Sequence, residues 1–573
     1  MVKITIDGKK ITAKKGSTIL EVAKNNDIKI PTLCYKEGIN KTGACRICVV
    51  ELEGYDKLMT SCNTEIQEGM VIYTNSKKVV ETRNVNLKLI LGQHKSECTE
   101  CVRNENCELQ ALSSEFKITE NPYKLKRIKV HWNENAPFIF DGDKCVKCLR
   151  CIQTCRNIQS VGALELKNTG GRTCVGVAGS KDISTSNCVY CGQCVVNCPV
   201  GALSERSDID TVMDYINDKS LITMVQIAPA IRAAWGEEFG LPPGKTTANK
   251  LAAVFRKMGF DYVFDTDFGA DLTITEEAFE FLERFTSGDL KEYPMFTSCC
   301  PGWVRYVSLK HPNIVKYLSS AKSPHQMFGA LMKSYFKEVK GVDPQKIRVV
   351  SIMPCIAKKF EASQNELSDS NGNKDVDAVL TTREVNRMIK TFGIDINTIG
   401  ESEFDKPFKE ASGAGHIFGA TGGVMEAALR TAYYYQTKTN PEPNAFKAVR
   451  GDKGWREATF DIAGNEIKVA VASGLKNTED LLNALKNGEV KYDFVEIMAC
   501  PGGCIGGGGQ PIHAENNHKK ERTAVLYDLD KNTNLRFSHE NPSIKHVYEN
   551  YLSAPGSEKA HKLLHTAHKN WDM

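Results

Sequence analysis

The cysteines constrain the fold of this chain most, because there are 21 of them and most fall into regularly spaced groups. Two runs follow the pattern C-x2-C-x2-C-x3-C, namely Cys145, Cys148, Cys151 and Cys155, then Cys188, Cys191, Cys194 and Cys198. Such runs wrap cubane 4Fe–4S clusters, and in paired runs the fourth cysteine of each ligates the other cluster. Zinc is the alternative, but a structural zinc site takes only four ligands and does not need this crowding twice. The sequence therefore predicts two adjacent cubanes that transfer single electrons at low potential.

Length and composition place the chain in a broad class. Its 573 residues predict several domains, and 25% charged with 41% hydrophobic residues is ordinary for a globular protein. A net charge of +4 is too small to indicate a nucleic-acid partner, and no apolar run is long enough to span a membrane. The first residues alternate like a strand and lack a signal-peptide core, and the thiols have ligand spacing. We therefore expect a reducing, cytoplasmic location without membrane contact.

Residues 1–78 predict a first domain of strands around a short helix. Thr18 and Glu21 would form a capping box at the start of this helix. The domain contains one further cysteine group, with the spacing C-x10-C-x2-C-x13-C: Cys34, Cys45, Cys48 and Cys62. Four thiolates held by a loop and a later strand suit a 2Fe–2S cluster, with zinc as the alternative.

Residues 79–125 predict a second module, in which a helix ends shortly before His94. Three cysteines follow at the spacing H-x3-C-x2-C-x5-C: Cys98, Cys101 and Cys107. A histidine after a helix is usually a surface or capping residue. Here three cysteines lack a fourth partner, so we predict that His94 ligates a 4Fe–4S cluster and raises its potential by removing one negative charge.

Residues 126–208 carry the two cubane runs and predict a two-cluster, ferredoxin-like domain. From about residue 209 strands alternate with helices, which predicts one α/β domain over 209–573 with largely parallel sheets. The predicted strands are 221–228, 261–265, 347–352, 376–381, 468–472 and 494–498, and the helices between them include 250–258 and 273–285. The chain as a whole is thus predicted to be a multidomain protein of the α+β and α/β classes.

The remaining cysteine motifs follow strands of the predicted α/β domain. They are TSCCPGW with Cys299 and Cys300, MPC with Cys355, and MACPGGC with Cys500 and Cys504. Loops at the carboxyl ends of parallel strands build ligand sites, so separated thiolates there indicate a further cluster. The glycines of GGCIGGGG allow the backbone to approach a bulky group.

These motifs resemble those of the FeFe, or iron-only, hydrogenases. PMFTSCCPGWV, SIMPCIAKKFEA, GAGHIFGATGGVMEAALR and IMACPGGCIGGGGQP are similar to the three H-cluster signatures and a connecting stretch. The likeness covers essentially the whole chain and includes the accessory clusters of the long clostridial type. The first domain also resembles the β-grasp 2Fe–2S domain of complex I's large iron–sulfur subunit, and the His94 module resembles its counterpart in the same two families.

The resemblance implies a complete cofactor set. One 2Fe–2S cluster and three accessory 4Fe–4S clusters would lead to an H-cluster. Its 4Fe–4S cubane would be held by Cys300, Cys355, Cys500 and Cys504. Cys504 would bridge this cubane to a two-iron subcluster that carries CO, cyanide and a bridging azadithiolate, which dedicated maturation factors would supply. Cys174 and Cys299 remain outside all the ligand groups.

The resemblance also implies a proton path through Cys299, Glu280, Ser319 and Glu277, in that order, with Arg284 beside it. Taken alone, Cys299 would be a buried structural thiol. Glu277 and Glu280 lie i, i+3 on one helix, and Arg284 lies i, i+4 from Glu280, so these charges could equally form a solvated face.

Several further residues match positions around the two-iron site. Lys358 matches the lysine that donates to a cyanide, and Met353 and Met498 match methionines of the pocket, although core packing explains methionines equally well. Pro229 and Pro324 also fall at pocket positions. In APAIR, Ala230 replaces a common serine, so one hydroxyl donor is missing, and His416 replaces a commoner alanine.

The predicted function is the reversible reduction of protons to H2, with electrons from ferredoxin relayed through the accessory clusters. An electron-transfer subunit would share the first 208 residues but not the later cysteine motifs. An iron–sulfur assembly protein without a two-iron site would not need Cys299, Lys358, Met353 and Met498. A hydrogen sensor usually adds a signalling domain and loses the relay cysteine.

The electron partner stays open between two alternatives. The chain could accept electrons from ferredoxin alone, or it could be the catalytic subunit of a multimeric NAD(P)-linked bifurcating hydrogenase with a flavoprotein subunit. No G-x-G-x-x-G motif follows a predicted strand, so this chain does not bind nicotinamide itself.

Overall fold

The computed structural model describes residues 1–124, 127, 129–514, 518–569 and 571. The expected boundary between residues 125 and 126 lies outside these residues. Within the described ranges, no helix combines the length and the apolar character that a membrane crossing requires.

The N-terminal residues form a five-stranded sheet with one helix. The sheet has the order β2-β1-β5-β3-β4, in which β1 and β5 run parallel and the other neighbours run antiparallel. Thr18 and Glu21 form the predicted capping box of α1. The elements are β1 (Val2–Ile6), β2 (Lys9–Ala13), α1 (Ile19–Lys24), β3 (Val49–Leu52), β4 (Met59–Thr60) and β5 (Val71–Tyr73).

The middle of the chain consists of short elements, because its cysteine loops occupy much of the backbone. Two helices, α2 (Lys77–Gln93) and α3 (Glu108–Glu115), flank the three cysteines that follow His94. Two antiparallel strand pairs follow, β6 with β9 and β7 with β8. The bounds here are β6 (Phe138–Phe140), α4 (Arg150–Gln153), β7 (Leu164–Lys167), β8 (Cys174–Val177), α5 (Gln193–Val196) and β9 (Leu203–Glu205).

The large C-terminal region contains two sheets that face each other across the cysteine motifs. The first has the order β11-β10-β13-β14, and every neighbouring pair is parallel, as predicted. Its elements are α6 (Ile209–Asn217), β10 (Ile222–Ile227), α7 (Ala248–Met258), β11 (Tyr262–Asp265), α8 (Thr266–Ser287), α10 (Pro324–Lys340), β13 (Ile347–Met353), α11 (Ala357–Glu361), β14 (Ala378–Thr381) and α12 (Thr382–Thr391).

The second sheet has the order β12-β17-β16-β15, with β15 antiparallel and the rest parallel. Its elements are β12 (Met295–Phe296), α9 (Pro301–Lys310), α13 (Gly413–Ile417), α14 (Gly423–Thr437), β15 (Trp455–Ile462), β16 (Asn465–Ser473), α15 (Leu475–Lys486) and β17 (Phe494–Met498). Three last helices, α16 (Lys519–Asn532), α17 (Pro542–Val547) and α18 (Glu558–Leu564), cover the outside of the region.

Helix α8 begins before the predicted range 273–285. The prediction missed its first turns because they lack apolar periodicity. Asp265 caps it with a side-chain bond to the Asp267 N–H. Gly269 lies where a Cβ would come within 2.5 Å of the Pro324 carbonyl oxygen, so α8 and α10 pack unusually closely. This contact brings the acidic face of α8 beside the loop before α10.

Candidate active site and cluster sites

A cavity of about 70 Å³ lies where the carboxyl ends of the two sheets converge. Met353 ends β13 and Met498 ends β17, while Thr266 directly follows β11. Every residue predicted for the cofactor pocket lines this cavity: Pro229, Ala230, Pro324, Met353 and Met498, together with Cys299 and Lys358. The sheet topology thus brings side chains from separate motifs to one place.

Four cysteines meet beside the cavity, namely Cys300, Cys355, Cys500 and Cys504, and all four line it. Burial raises the pKa of each thiol. For Cys355, the charge of Cys300 adds to burial, and together they raise the pKa to about 12. Gly507 allows the backbone to close around them, because a Cβ there would lie 2.2 Å from the Pro354 carbonyl oxygen. Among the residues that the structure describes, no three His, Cys, Asp or Glu side chains are arranged to hold a single metal ion.

A buried charged group fixes Lys358 at the cavity wall. Its ammonium donates to the Cys299 carbonyl oxygen at 3.1 Å and to a Glu361 carboxylate oxygen at 2.8 Å. His325 also contacts Glu361 through Nε2, and its Nδ1 lies 3.0 Å from the Ser351 hydroxyl. Burial lowers the pKa of His325 to about 4. Burial would raise the pKa of Glu361, but the charge of Lys358 opposes it, and the pKa of Glu361 falls to about 2. The N–H group of Lys358 that makes neither of these bonds therefore points towards the cavity.

Glu277 is the acidic residue next to Cys299. Burial raises the pKa of the Cys299 thiol well above its ordinary value, and the charge of Glu277 is the next cause. Glu277 is completely buried, and neither of its carboxylate oxygens accepts a hydrogen bond from the described residues. Burial and then Glu280 raise its pKa to about 8, although nearby Ser319 and Ser298 oppose the rise. Burial thus favours the protonated form of the Glu277 carboxyl group.

Glu280 lies further from the cavity and nearer to solvent. It accepts from the Ser319 hydroxyl at 2.9 Å and pairs with Arg284 at 2.5 Å, as the i, i+4 spacing predicted. The expected path placed Glu280 next to Cys299, whereas the glutamate whose charge acts on Cys299 is Glu277. The spacing of two glutamates on a helix does not reveal which end of the helix faces the cavity.

The fourth cysteine of each cubane run lies near the first three cysteines of the other run. The charge of Cys198 raises the pKa of Cys145, Cys148 and Cys151 after the larger effect of burial. In the other group, Cys155 lines a small cavity of about 20 Å³ with three residues of the second run, Cys188, Cys191 and Cys194.

The His94 ring is oriented for a ligand. Its Nδ1 lies 2.9 Å from the Lys144 carbonyl oxygen, so Nδ1 donates and Nε2 keeps its lone pair. Burial lowers the pKa of His94, which favours the neutral form that metals bind. His94 and Cys98 line the same large surface cavity. Burial raises the pKa of the Cys107 thiol, and the charge of Cys101 adds to the rise, so these two thiols lie near each other.

The four cysteines of the first domain are all buried. Cys34 and Cys45 are hydrogen-bonding neighbours, as are Cys48 and Cys62, and these bonds lower the pKa of Cys34 to about 6 and of Cys48 to about 7. The charge of Cys34 also acts on Cys62, so the two pairs adjoin. The loop and the strand thus bring all four thiols together.

Five family descriptions match the chain. Residues 221–508 match "Iron only hydrogenase large subunit, C-terminal domain", and 516–571 match "Iron hydrogenase small subunit". Residues 1–77 match a 2Fe-2S iron-sulfur cluster binding domain, 83–122 the NADH-ubiquinone oxidoreductase-G iron-sulfur binding region, and 181–204 a 4Fe-4S binding domain.

Two relatives match over nearly the full length. The NADP-reducing hydrogenase subunit HndD of Solidesulfovibrio fructosivorans is 45% identical, over 99% of this chain and 98% of its own. Iron hydrogenase 1 of Clostridium pasteurianum is 40% identical, over 99% of this chain and 100% of its own. The chain belongs to the iron-only hydrogenase family.

Solved hydrogenase structures agree with the fold of the C-terminal region. The apo FeFe hydrogenase of Chlamydomonas reinhardtii is 42% identical, with a TM-score of 0.56, and the match covers 63% of this hydrogenase and 98% of that chain. This hydrogenase therefore carries 2Fe–2S and 4Fe–4S domains in front of an H-cluster domain.

Sequence reasoning missed some residues of the hydrogenase cavity. His325 and Thr266 line it, and their signals were weak: His325 directly follows Pro324, and Thr266 directly follows the end of β11. Reasoning from sequence also treated 209–573 as one unit, whereas 516–571 match a separate small-subunit family. Cys174 begins β8, where its sulfur lies 3.7 Å from the Asn168 side-chain nitrogen.

Proposed function

We propose that this hydrogenase interconverts protons and H2 at the cavity beside Cys504. The cofactor would be an H-cluster, in which a 4Fe–4S cubane on Cys300, Cys355, Cys500 and Cys504 joins a two-iron subcluster with CO, cyanide and azadithiolate. The observation that carries the proposal is the cavity itself, which these four thiols line together with Cys299 and Lys358. The bound group supplies the chemistry of making and splitting the H–H bond.

The residues around the cavity fit such a group. One wall offers thiolates, which bind iron, and the others are mostly apolar, with Met353 and Met498 at two strand ends. Lys358 offers a single cationic donor, which suits an anionic cyanide ligand. Glu361 holds that ammonium in place, and Ala230 contributes no hydroxyl donor to the cavity lining.

We propose a proton relay through Cys299, Glu277, Ser319 and Glu280, in this order, which exchanges the two glutamates of the expected path. Cys299 lines the cavity, Glu277 lies behind it, and the Ser319 hydroxyl reaches Glu280 at 2.9 Å. Arg284 holds Glu280 at the outer end through an ion pair. General acid–base groups must exchange protons near the working pH, and the raised pKa of Glu277 meets that need.

We assign four accessory clusters to the remaining cysteine groups. The assigned ligands are Cys34, Cys45, Cys48 and Cys62 for a 2Fe–2S cluster; His94, Cys98, Cys101 and Cys107 for a 4Fe–4S cluster; and two cubanes on Cys145, Cys148, Cys151 and Cys198 and on Cys188, Cys191, Cys194 and Cys155. The proposed units are 1–78 with a β-grasp fold, 79–125, 126–208 with a ferredoxin-like fold, and 209–573.

Backbone contacts support a continuous electron route between these sites. Asn40 donates to the carbonyl oxygens of Cys34 at 2.7 Å and of Cys148 at 2.9 Å. Arg103, from the His94 module, donates to the Cys198 carbonyl oxygen at 3.2 Å. The first domain and the His94 module thus both adjoin the same cubane site. We propose that electrons enter through either one.

Two electron partners remain candidates. Ferredoxin suits a chain whose accessory sites reach the surface, and a partner flavoprotein subunit is favoured by the likeness to the relative named as an NADP-reducing hydrogenase subunit. A native pull-down followed by turnover assays with each donor would distinguish the two. The cytoplasmic location stays a prediction.

Co-expression with the FeFe hydrogenase maturation factors tests the proposed function. We expect dye-driven hydrogen evolution only from the matured protein, because the two-iron subcluster would have to be delivered. The unmatured protein should still bind iron and sulfide through its cysteines. Full activity without maturation factors, or none with them despite complete iron loading, would contradict the proposal.

A further inference from the structure

A buried histidine–glutamate pair adjoins the proposed relay without belonging to it. His565 Nε2 lies 3.1 Å from a Glu276 carboxylate oxygen, and the two side chains are 5% and 0% exposed. Glu276 also accepts from the Tyr548 hydroxyl and, at 2.9 Å, from the Gly556 N–H. The pair joins α8 to the C-terminal segment that matches the small-subunit family.

The other side of the His565 ring reaches the relay through Ser320. Nδ1 lies 2.8 Å from the Ser320 hydroxyl oxygen, and that hydroxyl lies 2.9 Å from a Glu280 carboxylate oxygen. Backbone bonds hold the arrangement, since the Thr566 N–H donates to the Ser320 carbonyl oxygen at 2.7 Å. A continuous hydrogen-bonded line therefore runs from Glu276 through His565 and Ser320 to Glu280.

The line has two states with the same number of protons, which differ in whether His565 or Glu280 carries the transferred proton. When the Ser320 hydroxyl donates to Glu280, Nδ1 of His565 must donate to Ser320, and both ring nitrogens then carry protons if Nε2 also donates to Glu276. When the hydroxyl instead donates to Nδ1, the ring is neutral, its Nε2–H still donates to Glu276, and Glu280 carries the transferred proton. The Nδ1 proton has moved to the Ser320 oxygen, and the former hydroxyl proton has moved to Glu280, so atoms and charge balance.

His565 also adjoins a surface histidine. The exposed His561 ring stacks on it at a centroid distance of 4.7 Å and an angle of 1°, one helical turn earlier. Histidine is the side chain whose ordinary proton exchange falls near neutral pH. Glu276 and His561 contact His565 directly. Tyr435 and Tyr548 lie beside Glu276, and His568 contacts the neighbouring Ser319 carbonyl oxygen. Glu280, paired with Arg284, is reached through Ser320.

We propose that His565, oriented by Glu276, receives protons from the surface beside His561 and passes them through the Ser320 hydroxyl to Glu280. This inference rests on the proposed hydrogenase function and adds a proton-supplying residue upstream of the relay. Glu276 acts as a positioning residue, because it fixes the ring with one nitrogen towards Ser320. The C-terminal segment would thereby serve the chemistry as well as the fold.

His565→Gln is the direct test, with exposed His546→Gln of the same segment as its control. Glutamine keeps hydrogen-bonding groups, but its side chain cannot take up and release a proton. In the matured full-length enzyme, we expect dye-driven hydrogen evolution to match wild type at about pH 6 and to fall about tenfold at about pH 9, where protons are scarce. An equal fall at every pH would indicate a structural role, and an unchanged pH profile would show that Glu280 is supplied elsewhere; either overturns the inference.

Ser320→Ala and Ser320→Thr provide a second pair that leaves His565 in place. The alanine variant should reproduce the alkaline loss, and the threonine variant should restore the rate because it keeps the hydroxyl. In protein made without maturation factors, infrared difference spectra between the two pH values should change in their carboxyl bands for His565→Gln and Ser320→Ala only. Inactive wild-type enzyme would refute the proposed function, whereas active wild type with an unaltered His565→Gln profile and carboxyl bands would refute only this inference.

Discussion

The sulfur of Cys500 lies 3.8 Å from the carbonyl oxygen of Cys191. Cys500 is a proposed ligand of the active-site cubane, and Cys191 is a proposed ligand of the neighbouring accessory cubane. Gly508 makes this contact possible, because a Cβ there would come within 2.6 Å of the Cys191 carbonyl oxygen and 2.7 Å of the Gly192 Cα. The last step of the electron route is therefore a direct contact between two ligand loops.

Gly508→Ala should separate these loops and slow electron delivery to the active site. Because the atoms that a methyl group would meet belong to the backbone, they cannot move aside cheaply. We expect severalfold slower reduction of the active-site cubane in rapid-mixing spectroscopy. Gly400→Ala is the matched control, since a Cβ at Gly400 meets nothing within 4 Å. Equal rates in both variants would show that the contact does not limit electron transfer.

Cys299→Ala should keep every cluster but remove the first proton carrier. Hydrogen evolution should fall by about 10²–10⁴-fold, the usual contribution of a general acid–base group. Cys299→Asp should recover part of the rate, because a carboxyl group also carries a proton. Cys174→Ala controls for the loss of a thiol outside the ligand groups. Near wild-type evolution by Cys299→Ala would place the relay elsewhere.

Glu277→Gln should make the protein more stable above neutral pH while it lowers activity. The folded-state pKa of about 8 lies above the ordinary value of 4.5, so the folded state binds the proton more tightly than the unfolded chain. Stability therefore falls as pH rises from about 4.5 to about 8, and the glutamine variant should lack this fall.

Thermal unfolding across this pH window measures the effect of Glu277→Gln. We expect a gain of roughly 1–4 kcal/mol above about pH 8 relative to wild type. Glu283→Gln, an exposed glutamate of the same helix, should leave the pH dependence unchanged. If Glu277→Gln follows the wild-type curve, the carboxyl group is not held protonated by burial.

His94→Cys should lower the reduction potential of the cluster in the His94 module. A thiolate adds a negative charge that neutral imidazole lacks, and negative charge disfavours the reduced cluster. Redox titration followed by electron paramagnetic resonance measures the potential. Turnover with a protein donor should fall more than turnover with a small dye, which also reaches other clusters. An unchanged potential would show that His94 is not a ligand.

The parallel sheets and the residues that line the cavity could be predicted from the sequence, because motifs that follow parallel strands meet at one edge of a sheet. The cysteine groups also come together in the fold, although their assignment as cluster ligands stays a prediction. Spacing did not give the order of Glu277 and Glu280, since the direction of α8 relative to the cavity depends on its packing against α10. The early turns of α8 were missed because TDFGAD is a poor helix former that capping and tertiary contact stabilise.

Contacts between distant segments lay beyond sequence reasoning. His565 and Glu276 are separated by 289 positions and meet only because residues 564–566 pair with the loop at 320–322. His325 and Glu361 likewise come from two different helices. A lone histidine or glutamate in such a segment has no spacing that distinguishes it from a surface residue.

Infrared spectroscopy of the matured and unmatured protein tests the central claim most directly. The account predicts bands from CO and cyanide ligands only in the matured protein, together with hydrogen evolution, and predicts that Lys358→Met shifts the cyanide bands by removing their donor. Hydrogen evolution at the full rate without such bands would contradict the claim that an H-cluster beside Cys504 carries out the reaction.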